Sequence, residues 1–133
     1  MIISAVHLSN FKSFKDLHRI EGLDENLSDE QNIVLVGGLN GAGKTSFLDA
    51  FFFCLYGEGA KKLYPTRGAK NENYLALIFS LFNNEVKNSG VNYGEMSVEI
   101  FFRDVLLLGN HPKDVSIKRT WQLGLDGNGN VLK

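Results

Sequence analysis

Cysteine occurs once in the 133 residues, at Cys54, so no internal disulfide can form and the fold has to rest on packing. That usage is compatible with a reducing compartment, and a cytoplasmic location is expected. Charge of one sign is lacking as well. The formal net charge of −1 excludes a polybasic nucleic-acid binder as a whole, so any such contact has to come from a local patch or a partner. No signal peptide is expected, because Met1-Ile2-Ile3-Ser4-Ala5-Val6-His7 has no basic stretch and alternates as a strand does. No apolar run is long enough to cross a bilayer, and no membrane partner is expected. His7, His18 and His111 are scattered without ligand spacing, which leaves no zinc site. Cys54 itself falls in a Phe- and Leu-rich stretch, a place for core packing rather than redox chemistry.

Against these absences stands Gly38-Leu39-Asn40-Gly41-Ala42-Gly43-Lys44-Thr45, which fits G-x-x-x-x-G-K-[ST] at every fixed position. The expression is short, so its flanks decide between a phosphate-binding P-loop and an incidental glycine turn. Ile33 to Val36 reads as a buried parallel strand. Ser46 to Tyr56 has no Gly or Pro and reads as a buried helix. Strand, glycine loop and helix are the context the motif requires. Gly38, Gly41 and Gly43 leave out side chains and permit positive φ where phosphate oxygens must approach the main chain. Loop N–H groups and the unpaired N–H groups of the helix start then form an anion nest. The expected nucleoside triphosphate site is Gly38, Asn40, Gly41, Ala42, Gly43, Lys44, Thr45 and Ser46. Lys44 is expected to reach the β- and γ-phosphates as the catalytic residue, and the Thr45 hydroxyl to ligate Mg²⁺.

Around the loop, Ile2 to Leu8 alternates as a strand ending near Ser9-Asn10-Phe11. A turn at Phe11 to Phe14 leads to a second, antiparallel strand over Leu17 to Ile20. Gly22 to Asn32 is a polar, acidic loop and Gly57 to Lys70 a basic one. Glu72 to Phe82 predicts an amphipathic helix with Leu75, Ile78, Phe79 and Phe82 inward. Asn83 to Gly94 is a polar connection. Met96, Val98, Ile100 and Phe102 share one face of a strand, as do Val115, Ile117, Arg119, Trp121 and Leu123. Val105 to Leu108 either prolongs its strand or forms an apolar loop. Asp126-Gly127-Asn128-Gly129-Asn130 signals a hairpin whose returning strand starts at Val131-Leu132. Since the chain stops within that hairpin, a fragment is expected.

Val6-His7-Leu8-Ser9-Asn10-Phe11-Lys12-Ser13-Phe14, then the P-loop, then Leu48-Asp49-Ala50, resembles the N-terminal half of an SMC-like ATPase head. That group includes RecF, SbcC, SMC proteins and the DNA-sulfur-modification ATPase DndD. Val36 to Thr45, Leu55-Tyr56-Gly57 and Tyr74 to Ile78 look most like DndD. The resemblance implies an α/β P-loop NTPase of the ABC/SMC type, a mixed sheet with an antiparallel β-lobe, with residues 1–133 as the N-terminal lobe. It implies ATP and Mg²⁺ as cofactors and a role for Lys12, a basic residue approaching the phosphates from the N-terminal turn. A solvated turn lysine is the alternative there. Implied partners are DNA through the full-length protein, the C-terminal half of the same polypeptide, a second head in an ATP-dependent homodimer, and other proteins of a DNA modification or repair complex.

The sequence agrees with a half-head. Asp24-Glu25 and Asp29-Glu30 precede the P-loop in a polar loop, Val105 to Leu108 ends without a carboxylate, and no Leu-Ser-Gly-Gly signature or heptad is present. Gln122, on a predicted strand ahead of the hairpin, does not sit where a Q-loop glutamine belongs. Lys61, Lys62, Arg67 and Lys70 either contact a DNA backbone, ring the nucleotide entrance, or form a solvated loop. Tyr64 and Trp121 can stack on bases, though Trp121 shares its face with Ile117 and Leu123, as a core residue would. The main expectation is ATP hydrolysis coupled to DNA engagement in phosphorothioation. Alternatives are a repair or anti-phage SMC-like ATPase, a nucleotide-gated binding module with little turnover, and, against the Asn10-Phe11-Lys12 context, a small-molecule kinase. The chain alone is expected to bind ATP weakly and to be inactive.

Overall fold

The computed structural model describes residues 1–25, 33–60, 74–88, 93–106 and 111–124. The described strands form one sheet: β1 (Ile2–Phe11), β2 (Phe14–Ile20), β3 (Tyr93–Val105) and β4 (Lys113–Gly124), in the order β2-β1-β3-β4. Every neighbouring pair is antiparallel. Alternation decides which face is buried. Val6 and Leu8 of β1 and Met96, Val98, Ile100 and Phe102 of β3 point into the core, with Val6 opposite Ile100 and Leu8 opposite Val98. Each such side chain contributes about 1.5–3 kcal/mol by leaving water. On β4 only Leu123 is buried on the expected face; Trp121 and Val115 are partly covered and Ile117 is exposed.

A bulge between Ser9 and Phe11 resets the period of β1. Asn10 adopts φ 55, so Phe11 rather than Asn10 enters the core, where it is fully buried. Helix α1 (Lys44–Tyr56) lies against the same sheet face through Ala50, Phe53 and Cys54. The Cys54 thiol lies 3.5 Å from the Val98 carbonyl oxygen and 3.4 Å from that of Ile117. Burial raises its pKa above the ordinary thiol value, as a core position requires. The helix ends at Gly57 (φ 54), where Arg119 of β4 donates from Nε to the Cys54 carbonyl at 2.9 Å. That cation satisfies a terminal carbonyl and sits favourably at the negative end of the helix dipole.

Helices α2 (Tyr74–Leu81) and α3 (Asn84–Asn88) complete the described elements. Of the four residues expected inward on the predicted helix, Ile78 and Phe82 are buried and Phe79 packs partly against the core, whereas Leu75 is exposed and Leu77 and Leu81 are buried as well. The buried side of α2 is thus broader than the expected stripe, with Leu77 and Leu81 beside Ile78. The polar connection after it contains α3, and the basic loop opens with a 3₁₀ turn at Gly57–Gly59. Val105 ends β3 and Leu106 is exposed. Lys61, Lys62, Tyr64, Arg67, Lys70 and the Asp126 to Leu132 hairpin lie outside the described residues.

One expectation fails. Ile33 to Val36 is not a buried parallel strand: it has no strand assignment, and Ile33 and Leu35 are 85% and 91% exposed. A parallel strand requires a hydrogen-bonding neighbour and a layer on each face, and no described strand lies beside this segment. The parallel part of the expected mixed sheet is therefore not formed by the described residues.

Candidate functional site

The glycine loop joins the exposed segment to α1. Gly41 (φ 85) and Gly43 (φ 92) are left-handed as the motif predicts; Gly38 is not. A Cβ on Gly43 would come within 3.0 Å of Ser13 Oγ and 3.2 Å of the Phe14 ring, so glycine here serves both backbone and packing. The Ala42 N–H donates to the Leu39 carbonyl at 3.1 Å and closes the loop. Gly43 is the N-cap of α1 with no side-chain cap bond, and no acid lies in the first turn. An uncapped helix start leaves N–H groups aimed outward, an electropositive end suited to an anion.

Lys44 donates from Nζ to the carbonyls of Gly38 at 2.6 Å and Leu39 at 2.8 Å, which places its ammonium across the loop. Asn40 is exposed in the loop, and Thr45 is exposed on the first turn of α1. Ser46 accepts a hydrogen bond from Ser13 at 3.2 Å. A cavity of about 170 Å³ opens here between Lys44, Val36, Phe14, Ile20 and Phe47. Sites that enclose a drug-sized ligand run to about 300–1,000 Å³, so the described residues around the loop form an apolar corner rather than a closed pocket. A larger cavity, about 300 Å³, beside Ser4, Arg103, Asp114 and Ser116 shares no residue with the loop.

Lys12 lies in the β1–β2 turn, and its described contact is with a side chain of α1 rather than with the glycine loop. Its ammonium forms an ion pair with Asp49 of α1, whose side chain is 3% exposed. Asp49 is not among the site residues expected from the sequence. The signal was present: it is the one charged residue between Ser46 and Tyr56, a helix turn beyond Thr45.

The donor set fits a nucleotide: two left-handed glycines, an uncapped helix start, and one lysine ammonium already held by oxygen acceptors. It fits Mg²⁺ only as a companion of the nucleotide. Among the described residues no cluster of three His, Cys, Asp or Glu side chains is placed to hold a metal ion. Thr45 offers one oxygen, so phosphate and water would complete the usual octahedral set.

This geometry defines a P-loop nucleotide-binding domain. A family match covering residues 5–125 shows that the chain belongs to the AAA domain family. It is 33% identical over 89 residues, 65% of this chain, to the DNA double-strand break repair Rad50 ATPase of Methanocaldococcus jannaschii. Identity is 40% over 60 residues, 45% of the chain, with the protein of that name from Halobacterium salinarum. Chromosome condensation protein dpy-27 of Caenorhabditis elegans is 32% identical over 105 residues, 79% of the chain. The matches span only 8%, 6% and 6% of these relatives. The domain is thus an ATP-binding P-loop domain of the kind found in SMC-family, Rad50-like ATPase heads. DndD is not singled out among them. Among the described residues no helix is long and apolar enough to cross a membrane.

Proposed function

We propose that this domain forms the ATP-binding half of an SMC-like ATPase head, and that hydrolysis in the complete protein drives engagement of two heads on DNA. The observation that carries this reading is the combination of the P-loop geometry with an incomplete pocket. Lys44 and the loop amides hold the triphosphate, Thr45 supplies one Mg²⁺ oxygen, and Lys12 adds positive charge near the terminal phosphate. When bound, Mg²⁺ neutralises phosphate charge as the γ-phosphoryl group transfers to water. The carboxylate that positions that water, and the strand beside Ile33 to Val36, come from the other half of the polypeptide. The exposed Ile33 to Val36 segment and the small cavity support that division, as does the small fraction of each relative that the chain covers.

Two matched relatives are named for double-strand break repair, which favours a repair role over phosphorothioation of the DndD kind. Head closure from 99% open to 99% closed needs about 5.5 kcal/mol, roughly 2.7 per nucleotide if two nucleotides share it. A few charge-assisted hydrogen bonds to each γ-phosphate supply that.

The test is phosphate release by the full-length protein with Mg²⁺, with and without DNA, beside its Lys44→Ala variant. Lys44-dependent, DNA-stimulated turnover is expected, and none from residues 1–133 alone above the variant's background. Robust Lys44-dependent turnover by residues 1–133 alone would overturn the half-head reading.

A further inference from the structure

We propose that Asp49 is a positioning residue: it holds the Lys12 ammonium against the P-loop helix so that Lys12 can meet the terminal phosphate of a bound nucleotide. The proposal rests on the ATP-binding reading above and adds a residue to it. Three observations carry it. The first is the backbone of Lys12. It adopts φ 49, a conformation L-residues other than Gly, Asn and Asp seldom take. The surroundings over-determine it: the Lys12 N–H donates to the Leu81 carbonyl at 2.7 Å, and Asn83 Nδ2 donates to the Lys12 carbonyl at 2.7 Å. Asn83, 7% exposed, is itself fixed, since its N–H donates to the Asn10 carbonyl and its Oδ1 accepts from the Glu85 N–H. Strain held in place from several sides marks a position the structure uses.

The second observation is where Asp49 sits. It lies on the inward side of α1 with Ala50, Phe53 and Cys54, among residues that are fully buried. A carboxylate in such surroundings is costly unless paired, and Lys12 is its cationic partner. Third, Asp49 follows Thr45 by four residues, which puts the two on one face of α1, one turn apart. The ion pair therefore stands beside the helix start that receives the phosphates. Ser13 to Ser46 at 3.2 Å and Ser13 and Phe14 against Gly43 tie the same turn to the same helix start.

A lysine stem is flexible and its ammonium is a point charge with three donors. Anchored at Asp49, it can keep the carboxylate and still serve a phosphate oxygen. Unanchored, it spreads its charge over many positions. Asp49 thus acts through Lys12, and its contribution appears only where a γ-phosphate is present. One charge-assisted hydrogen bond corresponds to about ten- to hundredfold in affinity.

The experiment measures ATP and ADP affinities of the full-length protein by calorimetry, in wild type, Asp49→Asn, Lys12→Met and the double variant. Asp49→Asn is isosteric, and Lys12, 24% exposed, can turn to water, so the fold survives. The double variant leaves no buried charge unpaired and serves as a second check. The ATP-over-ADP preference should fall about tenfold in Asp49→Asn, by the same factor in Lys12→Met, and no further in the double variant. A purely structural clasp would weaken ATP and ADP equally and leave the preference unchanged, which overturns the proposal. So would additive losses in the double variant, or a loss in Lys12→Met alone. Lys44→Ala is the separate control: unchanged ATP affinity there removes the P-loop reading itself, whatever Asp49 does.

Discussion

Gly37, just ahead of the loop, and Gly41 and Gly43 within it form a series in which strain and contact separate. Gly37 has no left-handed φ, and a Cβ there would meet nothing within 4 Å. Gly41 has φ 85 in equally open space, and Gly43 has φ 92 with Ser13 Oγ and the Phe14 ring at 3.0 and 3.2 Å from the added carbon. Gly37→Ala should accordingly be neutral or stabilise by about 0.4–1 kcal/mol, because alanine restricts the unfolded chain. Gly41→Ala should cost about 1–2 kcal/mol, the penalty of a side chain in the left-handed region. Gly43→Ala should cost that and roughly 1–3 kcal/mol more for overpacking, a total of about 2–5 kcal/mol. Urea unfolding followed by tryptophan fluorescence of Trp121 measures all three. Equal losses at Gly41 and Gly43 would show that the β1–β2 turn does not press on the loop. A loss at Gly37 as large as at Gly41 would refute the backbone argument altogether.

Lys44→Ala should abolish ATP binding without lowering the unfolding midpoint, since the side chain bonds only loop carbonyls among the described contacts; calorimetry with Mg²⁺ beside a melting curve checks both halves. Arg119→Ala should destabilise by about 1–2 kcal/mol through loss of the bond to the Cys54 carbonyl, and denaturant unfolding should show it. Cys54 should react with thiol reagents far more slowly in the native protein than in urea, because burial holds the thiol protonated. A folded pKa above the unfolded one contributes stability below the unfolded value, about 8.5, and loses it as pH rises towards the folded one. Unfolding midpoints should therefore fall above that pH in wild type and fall less in Cys54→Ala.

The P-loop was legible because its chemistry fixes residue types at fixed spacing, and α1 because a Gly- and Pro-free apolar stretch admits little else. The strands of the sheet were legible from alternation, although periodicity could not foresee the bulge at Asn10, which depends on one left-handed residue. Ile33 to Val36 shows the reverse. Its composition suits a buried strand, but burial is a property of neighbours, and those are not among the described residues. Asp49 escaped because a single acid in an apolar helix reads as a break in pattern, while its meaning depends on Lys12, 37 residues away. The lone acid marks the position, but nothing local names its partner.

The uncovered Ile33 to Val36 segment also bears on handling the polypeptide. Four apolar, mostly β-branched residues that lie exposed, with no strand paired to them among the described residues, offer a template on which another strand can add. A short run of that kind, without charge or proline, has the makeup of segments that stack between chains. Residues 1–133 produced alone should therefore associate as concentration rises, and a covering strand should act on solubility before it acts on catalysis. Placing a lysine at Leu35, the most exposed of the four, would disrupt that stacking while leaving the glycine loop intact.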